Sequence, residues 1–467
     1  MKGLFWEKTS TNCHVFVKII GAIIFQKEKG VNLKTDWSQQ INTKITQMLY
    51  LSLIVSPFFP PIILLLIGII SFMLYLKWDK DLLWRLPESI FLGFMGVTVV
   101  SWYLEPSWFY GLPVGLIVLF AFTLYYFLTH WVRSALNWDW TDVQQIYLMF
   151  WVSGLYVAAI VFLQQLEWPA LKQTFIGSLL DFYKEFSWQS ESARSIGTTG
   201  NSNLTAAMLI CFALMSIYAS TILPKIWQKI GAYGFFVIYV LAIWLTGSRG
   251  AWVGLVIGLV VQVWMTGHRK WTLALLFILV NLVVFFPELI PRKDTLMYTL
   301  KDRIHIWKTT VSIFEDNWLF GALPLHFGQV FQSKAGFHVY HAHNIVLGIA
   351  AEFGIIGLIL FITLVFFTLK RARRWRKTAN KREEKRLAGM LLSQTVALIS
   401  HGMYDYPILS PQVGVLFMLS VIIIHTQYER RCLSRPTWSQ SYKEEKIEGK
   451  EEDLKLKKVT AITLIKK

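Results

Sequence analysis

Cysteine is almost missing from this chain: Cys13, Cys211 and Cys432 are the three among 467 residues. They fall in an N-terminal tail, an apolar run and a C-terminal tail, so no pair shares a loop. Neither a disulfide framework nor a cysteine-based metal cluster is expected. Charge is sparse too, at 16% of residues, and unbalanced, with 46 Lys and Arg against 29 Asp and Glu. There is no glycine-rich phosphate loop and no internal repeat of fixed period, so neither a nucleotide-binding motif nor a solenoid is indicated. The apolar stretch His14 to Phe25 is broken by Lys18 and has no small-residue cleavage site after it. It reads as an interfacial amphipathic segment and not as a signal peptide.

What the chain does have is apolar sequence. Hydrophobic residues make up 54% of it and the mean hydropathy is +0.46, which places it in the polytopic membrane class. Apolar runs lie at 46–58, 60–77, 87–103, 109–131, 144–166, 203–223, 230–247, 250–266, 271–288, 344–369, 387–403 and 408–426. By the twenty-residue criterion these make an all-α membrane domain of about twelve spans over 46–426, with tails at 1–45 and 427–467. Pro57, Pro60 and Pro61 mark a tight turn between the first two runs.

The formal charge of +17 invites a nucleic-acid reading, but the location of the charges excludes it. They collect in the tails and in short loops on one side, above all between Lys370 and Arg386, as the positive-inside rule requires. That rule puts both termini in the cytoplasm of a multi-pass protein. Two longer loops, 167–202 and 289–343, then lie on the extracytoplasmic face. Leu171, Phe175, Leu179, Tyr183 and Phe186 in the first recur at helical spacing, as do Leu300, Ile304, Trp307, Val311 and Phe314 in the second. Each set predicts an amphipathic helix lying on the membrane surface.

Candidate chemistry clusters on that outer face. His343 stands at the mouth of a membrane helix beside His341 and Asn344, where a loop histidine becomes a candidate proton acceptor. His341 either orients His343 or is an exposed loop residue. The two histidines have no acidic or thiol ligand at metal spacing apart from Glu352, so no metal is expected. Arg249, in Thr246-Gly247-Ser248-Arg249-Gly250-Ala251-Trp252, runs against the charge bias for an outer loop. It either snorkels to headgroups or offers its rigid fork of donors to phosphate. Arg303 lies at the edge of the second amphipathic stripe. In Gly197-Thr-Thr-Gly200-Asn201-Ser202-Asn203, Asn203 suits a helix cap first and a substrate contact second. Asp405, in His401-Gly402-Met403-Tyr404-Asp405, is either a bare helix-end carboxylate or one that orients a base or pairs with an arginine.

The pattern His343-Asn344, nine residues, then Gly354-Ile-Ile-Gly357 resembles the His-[Asn/Ser/Gln]-x9-Gly-x-x-Gly signature of bacterial O-antigen ligases, a superfamily shared with glycan polymerases. Thr246 to Trp252, Arg303 to Trp307, the Gly-Asn-x-Asn entry at Asn201 and Asn203, and the late motif ending at Asp405 are similar to further superfamily patterns. Gly321-Ala322-Leu323-Pro324 departs from the commoner Gly-x-Gly. The resemblance runs from about residue 200 to 425 and implies transfer of a glycan from an undecaprenyl-pyrophosphate carrier to an acceptor hydroxyl on a lipid or glycan. It implies no metal or other cofactor, His343 as base, and Arg249 and Arg303 on the pyrophosphate. A polymerase of the same superfamily and a small-anion transporter stay open. A transporter would carry mid-span charges and matched broken helices, and neither stands out in this sequence.

The topology has a direct test. A cysteine placed at Ser333 is expected to react with an impermeant reagent in intact cells. Labelling only after the membrane is opened would reverse the assignment of 289–343 to the outside.

Overall fold

A computed structural model of the protein describes Val55, Gly68 and residues 85–432, except 105–107, 135–139, 167–172, 186, 188–193 and scattered positions within 268–290. The runs expected at 46–58 and 60–77 apart from Val55 and Gly68, most of 271–288, the N-terminal tail and the C-terminal tail after Cys432 lie outside the described residues.

The described residues form helices and no strands. In chain order they are α1 (Glu88–Leu104), α2 (Trp108–Ser134), α3 (Trp140–Leu166), α4 (Phe175–Glu185), α5 (Ser202–Ile222) and α6 (Ile226–Leu245). Then follow α7 (Arg249–Met265), α8 (Leu296–Asp316), α9 (Phe327–Ala335), α10 (Ile345–Thr378), α11 (Arg382–Gly402) and α12 (Pro411–Cys432). Among them α2, α3, α5, α6, α10 and α12 contain stretches long and apolar enough to cross a membrane, and α1 and α7 are shorter apolar helices. The chain is therefore an all-helical, polytopic membrane protein.

Two boundaries differ from expectation. The basic stretch 370–386 is not a loop: α10 runs through it to Thr378, a turn at 379–381 follows, and α11 starts at Arg382. Likewise α12 continues to Cys432, past the expected end at 426. Hydropathy ends where lipid ends, whereas backbone hydrogen bonding carries a helix on into water, where lysine and arginine are good helix formers. The two amphipathic segments do form helices. In α8 the apolar stripe Leu300, Ile304 and Val311 is exposed, while the adjacent face, Ile306, Thr310 and Ile313, packs inward beside α10. In α4, Phe175 is exposed and Tyr183 is buried against α3, its hydroxyl 3.0 Å from that of Tyr156.

α5 and α12 are the most enclosed of the spans, and the others gather round them. α7 lies against α11 along Gly250, Gly254 and Gly258, one residue per turn. A Cβ on Gly254 would come within 2.8 Å of the Ala397 carbonyl oxygen, and one on Gly258 within 2.9 Å of Ala397 Cβ. Without a hydrophobic force between helices in lipid, such close approach of small residues is what joins them. At the end of the bundle away from His343, Arg133 pairs with Glu88 at 2.5 Å and with Glu429, Arg371 with Glu429 at 3.0 Å, and Arg431 with Glu384 at 2.9 Å. Each of these buried or half-buried charges has an opposite partner, without which its desolvation would be costly.

α10 is broken after its first nine residues. Gly354 has φ 67° and ψ −169°, and the segment between α8 and α9 docks into the break. Ala322 N donates to the Ala351 carbonyl at 2.8 Å, and Ile355 N donates to the Trp318 carbonyl at 2.8 Å. These bonds satisfy the backbone groups that the break frees, a requirement at membrane depth. Ser101 of α1 pins the docked segment, donating to the Gly321 carbonyl at 3.1 Å and accepting from Leu323 N at 2.9 Å. Leu323, standing where the family pattern has its second glycine, keeps the left-handed conformation that glycine would favour, with φ 55°.

Gly354→Ala is expected to destabilise the protein by at least about 1–3 kcal/mol, since the backbone there is one that glycine alone adopts readily. The added Cβ would also lie 2.3 Å from the Leu319 carbonyl oxygen. Gly231→Ala in α6, which meets nothing within 4 Å, is the control and should be neutral or slightly stabilising. Thermal unfolding in detergent measures both, and equal melting temperatures would refute the account of the break.

Candidate active site

His343 precedes α10 in a left-handed conformation, φ 48°, which histidine tolerates better than most residues. Asn344 is the helix cap: its Oδ1 accepts from Val346 N at 2.9 Å and Leu347 N at 3.1 Å, while its Nδ2 donates to the Met403 carbonyl at 3.1 Å. One asparagine thus starts α10 and ties that start to the end of α11. Asp405 follows α11 and is 1% exposed. Its Oδ1 accepts from His341 Nε2 at 2.8 Å, from His343 Nδ1 at 3.1 Å and from Tyr406 N at 2.9 Å.

Burial works to raise the Asp405 carboxyl, but the hydrogen bonds and charge of His341 and His343 outweigh it and hold the group well below its ordinary range. His343 moves down from 6.5, first through burial and then through His341 beside it, against an upward pull from Asp405. It is thus a neutral base near pH 7. With Nδ1 committed to Asp405, Nε2 is the nitrogen left to take a proton. The His343 side chain keeps 26% of its surface accessible, and it lines a cavity of about 270 Å³.

Among the described residues, four guanidinium groups line the same cavity, from Arg194, Arg249, Arg292 and Arg303, with Asp302 as the one carboxylate. Arg249 is the first residue of α7, so the positive end of that helix dipole faces the cavity as well. It donates to the Arg292 carbonyl at 3.1 Å and to the Thr299 hydroxyl. Arg194 donates to the Thr246 carbonyl and to Asn203 Oδ1, both at 2.8 Å. Burial first, then Arg292, pushes Arg194 down to about 10, so it stays cationic at neutral pH. Gly247 lets two of these arginines approach: a Cβ there would lie 3.2 Å from Arg292 Cδ and 3.4 Å from Arg194 Nε. Crowded cations of this kind make an anion site.

The structure brings Arg249, Arg303, Asn203 and His343 to one cavity, with His341, Asn344 and Asp405 directly behind. Two expectations need correction. Capping of α5 falls to Asn201, whose Oδ1 accepts from Asn203 N at 2.9 Å and Leu204 N at 3.3 Å, while the Asn203 side chain faces the cavity. The cap must sit just outside the first turn, and α5 starts at Ser202, one residue earlier than expected. The two histidines also have an acidic neighbour that their spacing did not show, because the fold supplies Asp405. Ligand atoms of His341, His343 and Asp405 all lie within 4.8 Å, a set that suits a metal by type, although their hydrogen bonds already use the facing atoms. Gly354 and Gly357 do not line the cavity: Gly354 makes the break in α10, and a Cβ on Gly357 would lie 2.2 Å from Phe353 Cβ. Sequence reasoning missed Arg194 and Arg292. They stand in the loops 167–202 and 289–343, where the lysines at 184, 293, 301, 308 and 334 hide the signal.

Residues 234–362 match the family model described as O-antigen ligase. This bears out the resemblance to the O-antigen ligase-like superfamily. The match spans Arg249, Arg292, Arg303, His341, His343, Asn344 and both glycines of the signature; Arg194, Asn201, Asn203 and Asp405 lie outside it. No curated protein matches the chain. The stretch is thus similar to a membrane enzyme family of ligase or polymerase type.

Histidine titration followed by NMR on selectively labelled protein is expected to give His343 a midpoint below 6.5. In Asp405→Asn the midpoint should fall further, because the carboxylate that favours the imidazolium is gone. A rise would show that Asp405 does not face His343 as an anion.

Proposed function

We propose that this protein is a membrane glycosyltransferase that moves a glycan from an undecaprenyl-pyrophosphate carrier to an acceptor hydroxyl, in the manner of an O-antigen ligase. The observation that carries this reading is the cavity itself, where four arginines converge on the histidine whose outer nitrogen is left bare by Asp405. In the proposed reaction His343 Nε2 takes the proton of the acceptor hydroxyl. The hydroxyl oxygen attacks the anomeric carbon, and the bond from that carbon to the pyrophosphate oxygen breaks. The departing pyrophosphate keeps the electron pair, and its charge is stabilised by Arg249 and Arg303 with Arg194 and Arg292.

The exposed apolar residues of α8 offer the lipid carrier a greasy surface beside the cavity. The lysine and arginine asymmetry supports about twelve spans in a bacterial plasma membrane, with both termini cytoplasmic and the cavity on the extracytoplasmic face. Convergence of the arginines at one end of the helices, beside a base, suits group transfer better than ion translocation, which calls for charges near mid-span.

The test is transfer by purified protein from a defined lipid-pyrophosphate donor in excess chelator. His343→Ala and Arg249→Ala should each lose transfer by about a hundredfold to ten-thousandfold while inserting normally in the membrane. Arg249→Lys should fail as well, since an ammonium cannot reproduce a bidentate fork. Parental activity in His343→Ala would remove the base, activity lost to chelator alone would make the histidine–aspartate set a metal site, and lengthened lipid-linked chains would make the enzyme a polymerase.

A further inference from the structure

One side chain of the cavity has no part in the proposed chemistry. Asp302 is a carboxylate set among arginines, yet among the described residues it forms no ion pair with Arg249, Arg292 or Arg303. A counter-ion for those three would lie against them. Nor does a carboxylate suit the pyrophosphate itself, because like charges repel. Asp302 therefore faces some other part of the substrate, and its position along α8 shows which.

Thr299, Asp302, Arg303 and Ile306 all line the cavity and recur at helical spacing, so α8 turns one face to it. Near the start of that face the Thr299 hydroxyl accepts from Arg249, whose guanidinium also donates to the Arg292 carbonyl at 3.1 Å. The Thr295 hydroxyl donates to the same carbonyl at 3.1 Å. The positive end of the α8 dipole lies there as well. Farther along, Trp307 Nε1 donates to the His343 carbonyl at 3.4 Å. The helix thus runs from the arginines to the base. At a rise of about 1.5 Å per residue, Asp302 stands about 4.5 Å past Thr299 and about 7.5 Å short of Trp307. Its side chain is short, so it serves the level of the helix at which it stands.

Glycosyl transfer needs three groups in that same order: the departing pyrophosphate, the sugar ring that carries the anomeric carbon, and the attacking hydroxyl held by the base. The ring is the part that comes opposite Asp302. Its hydroxyls are neutral donors, from which a carboxylate accepts strongly. We propose that Asp302 accepts hydrogen bonds from ring hydroxyls of the sugar bonded to pyrophosphate, and so selects that sugar. Asp302 neither takes a proton nor forms a bond in the reaction; the hydroxyls it holds set which ring fits between the arginines and His343. A sugar that lacks a donor at that point leaves the carboxylate without its partner, which is how a polar site rejects the wrong substrate. The inference rests on the reading of the cavity as a glycosyl-transfer site.

The experiment measures binding of undecaprenyl pyrophosphate, bare or carrying glucose, galactose, mannose or N-acetylglucosamine, to the full-length protein in detergent, and then transfer from each. The parent is expected to prefer one sugar. Asp302→Ala should weaken binding of that preferred carrier by about tenfold to a hundredfold, the scale of a hydrogen bond to a charged group, and level the order among the sugars. Its affinity for the bare carrier should stay parental, which also shows that the variant folds. Asp302→Asn, whose amide oxygen still accepts from a hydroxyl, should keep the parental order at reduced affinity. The proposal is overturned if the parent ranks the sugars equally, or if Asp302→Ala keeps the parental order, as a merely solvated carboxylate would. It is overturned as well if Asp302→Ala weakens the bare carrier as much as the others. Should the parent bind and rank the sugars as expected yet transfer none, the functional reading fails and the sugar site stands. A parent that binds no carrier at all overturns both.

Discussion

One carboxylate oxygen holds this site together. Asp405 Oδ1 gathers protons from His341, His343 and the Tyr406 backbone, groups that come from the entry to α10 and the exit from α11. A carboxylate this deeply buried is tolerable only with such donors, so the two helix ends cannot part without stranding a charge. Asn344 adds a second tie between the same ends through the Met403 carbonyl. The rest follows from that junction. α7 approaches α11 through its glycines and delivers Arg249, while α8 lies beside α10 and delivers Arg303.

The two ends of the bundle treat arginine in opposite ways. Away from His343, Arg133, Arg371 and Arg431 meet Glu88, Glu429 and Glu384, and the charges cancel inside the protein. At the cavity, Arg249, Arg292 and Arg303 form no ion pair among the described residues, and Arg249 is held by the Arg292 carbonyl and the Thr299 hydroxyl. Mutual repulsion between cations costs stability unless something repays it, and an anionic ligand would. That contrast, more than the number of arginines, separates scaffold charge from site charge. The strained left-handed backbone at Arg292 and His343 is in keeping with it, because strain of that kind persists where the surroundings over-determine it.

The broken helix shows how the signature glycines act at a distance from the chemistry. Gly354 lets the 318–323 segment run against the backbone of α10, and that segment leads directly into α9 and the approach to His341. A side chain at Gly354 or Gly321 would push the two backbones apart. His343 and Gly354 thus share one stretch of chain in which the first lines the cavity and the second sets the path of the segment that returns to it.

The sequence by itself determined what depends on neighbours in the chain. Apolar run length located the helices, since a span's hydrogen bonds are all internal, and the nine described runs all became helices, with α10 and α12 running on past the apolar ends. The spacing from His343 to Gly357 pointed to the family, and the sign of outer-loop charge singled out Arg249. Only the tertiary structure decided what depends on which helices touch. It set Asp405, more than sixty residues on, against His341 and His343; it made Asn201 the cap and turned Asn203 to the cavity; and it added Arg194 and Arg292. Those choices follow from close approach between helices, set by glycines such as Gly254 and by the demand that each buried charge find a partner, and neither leaves a periodic trace in a single chain.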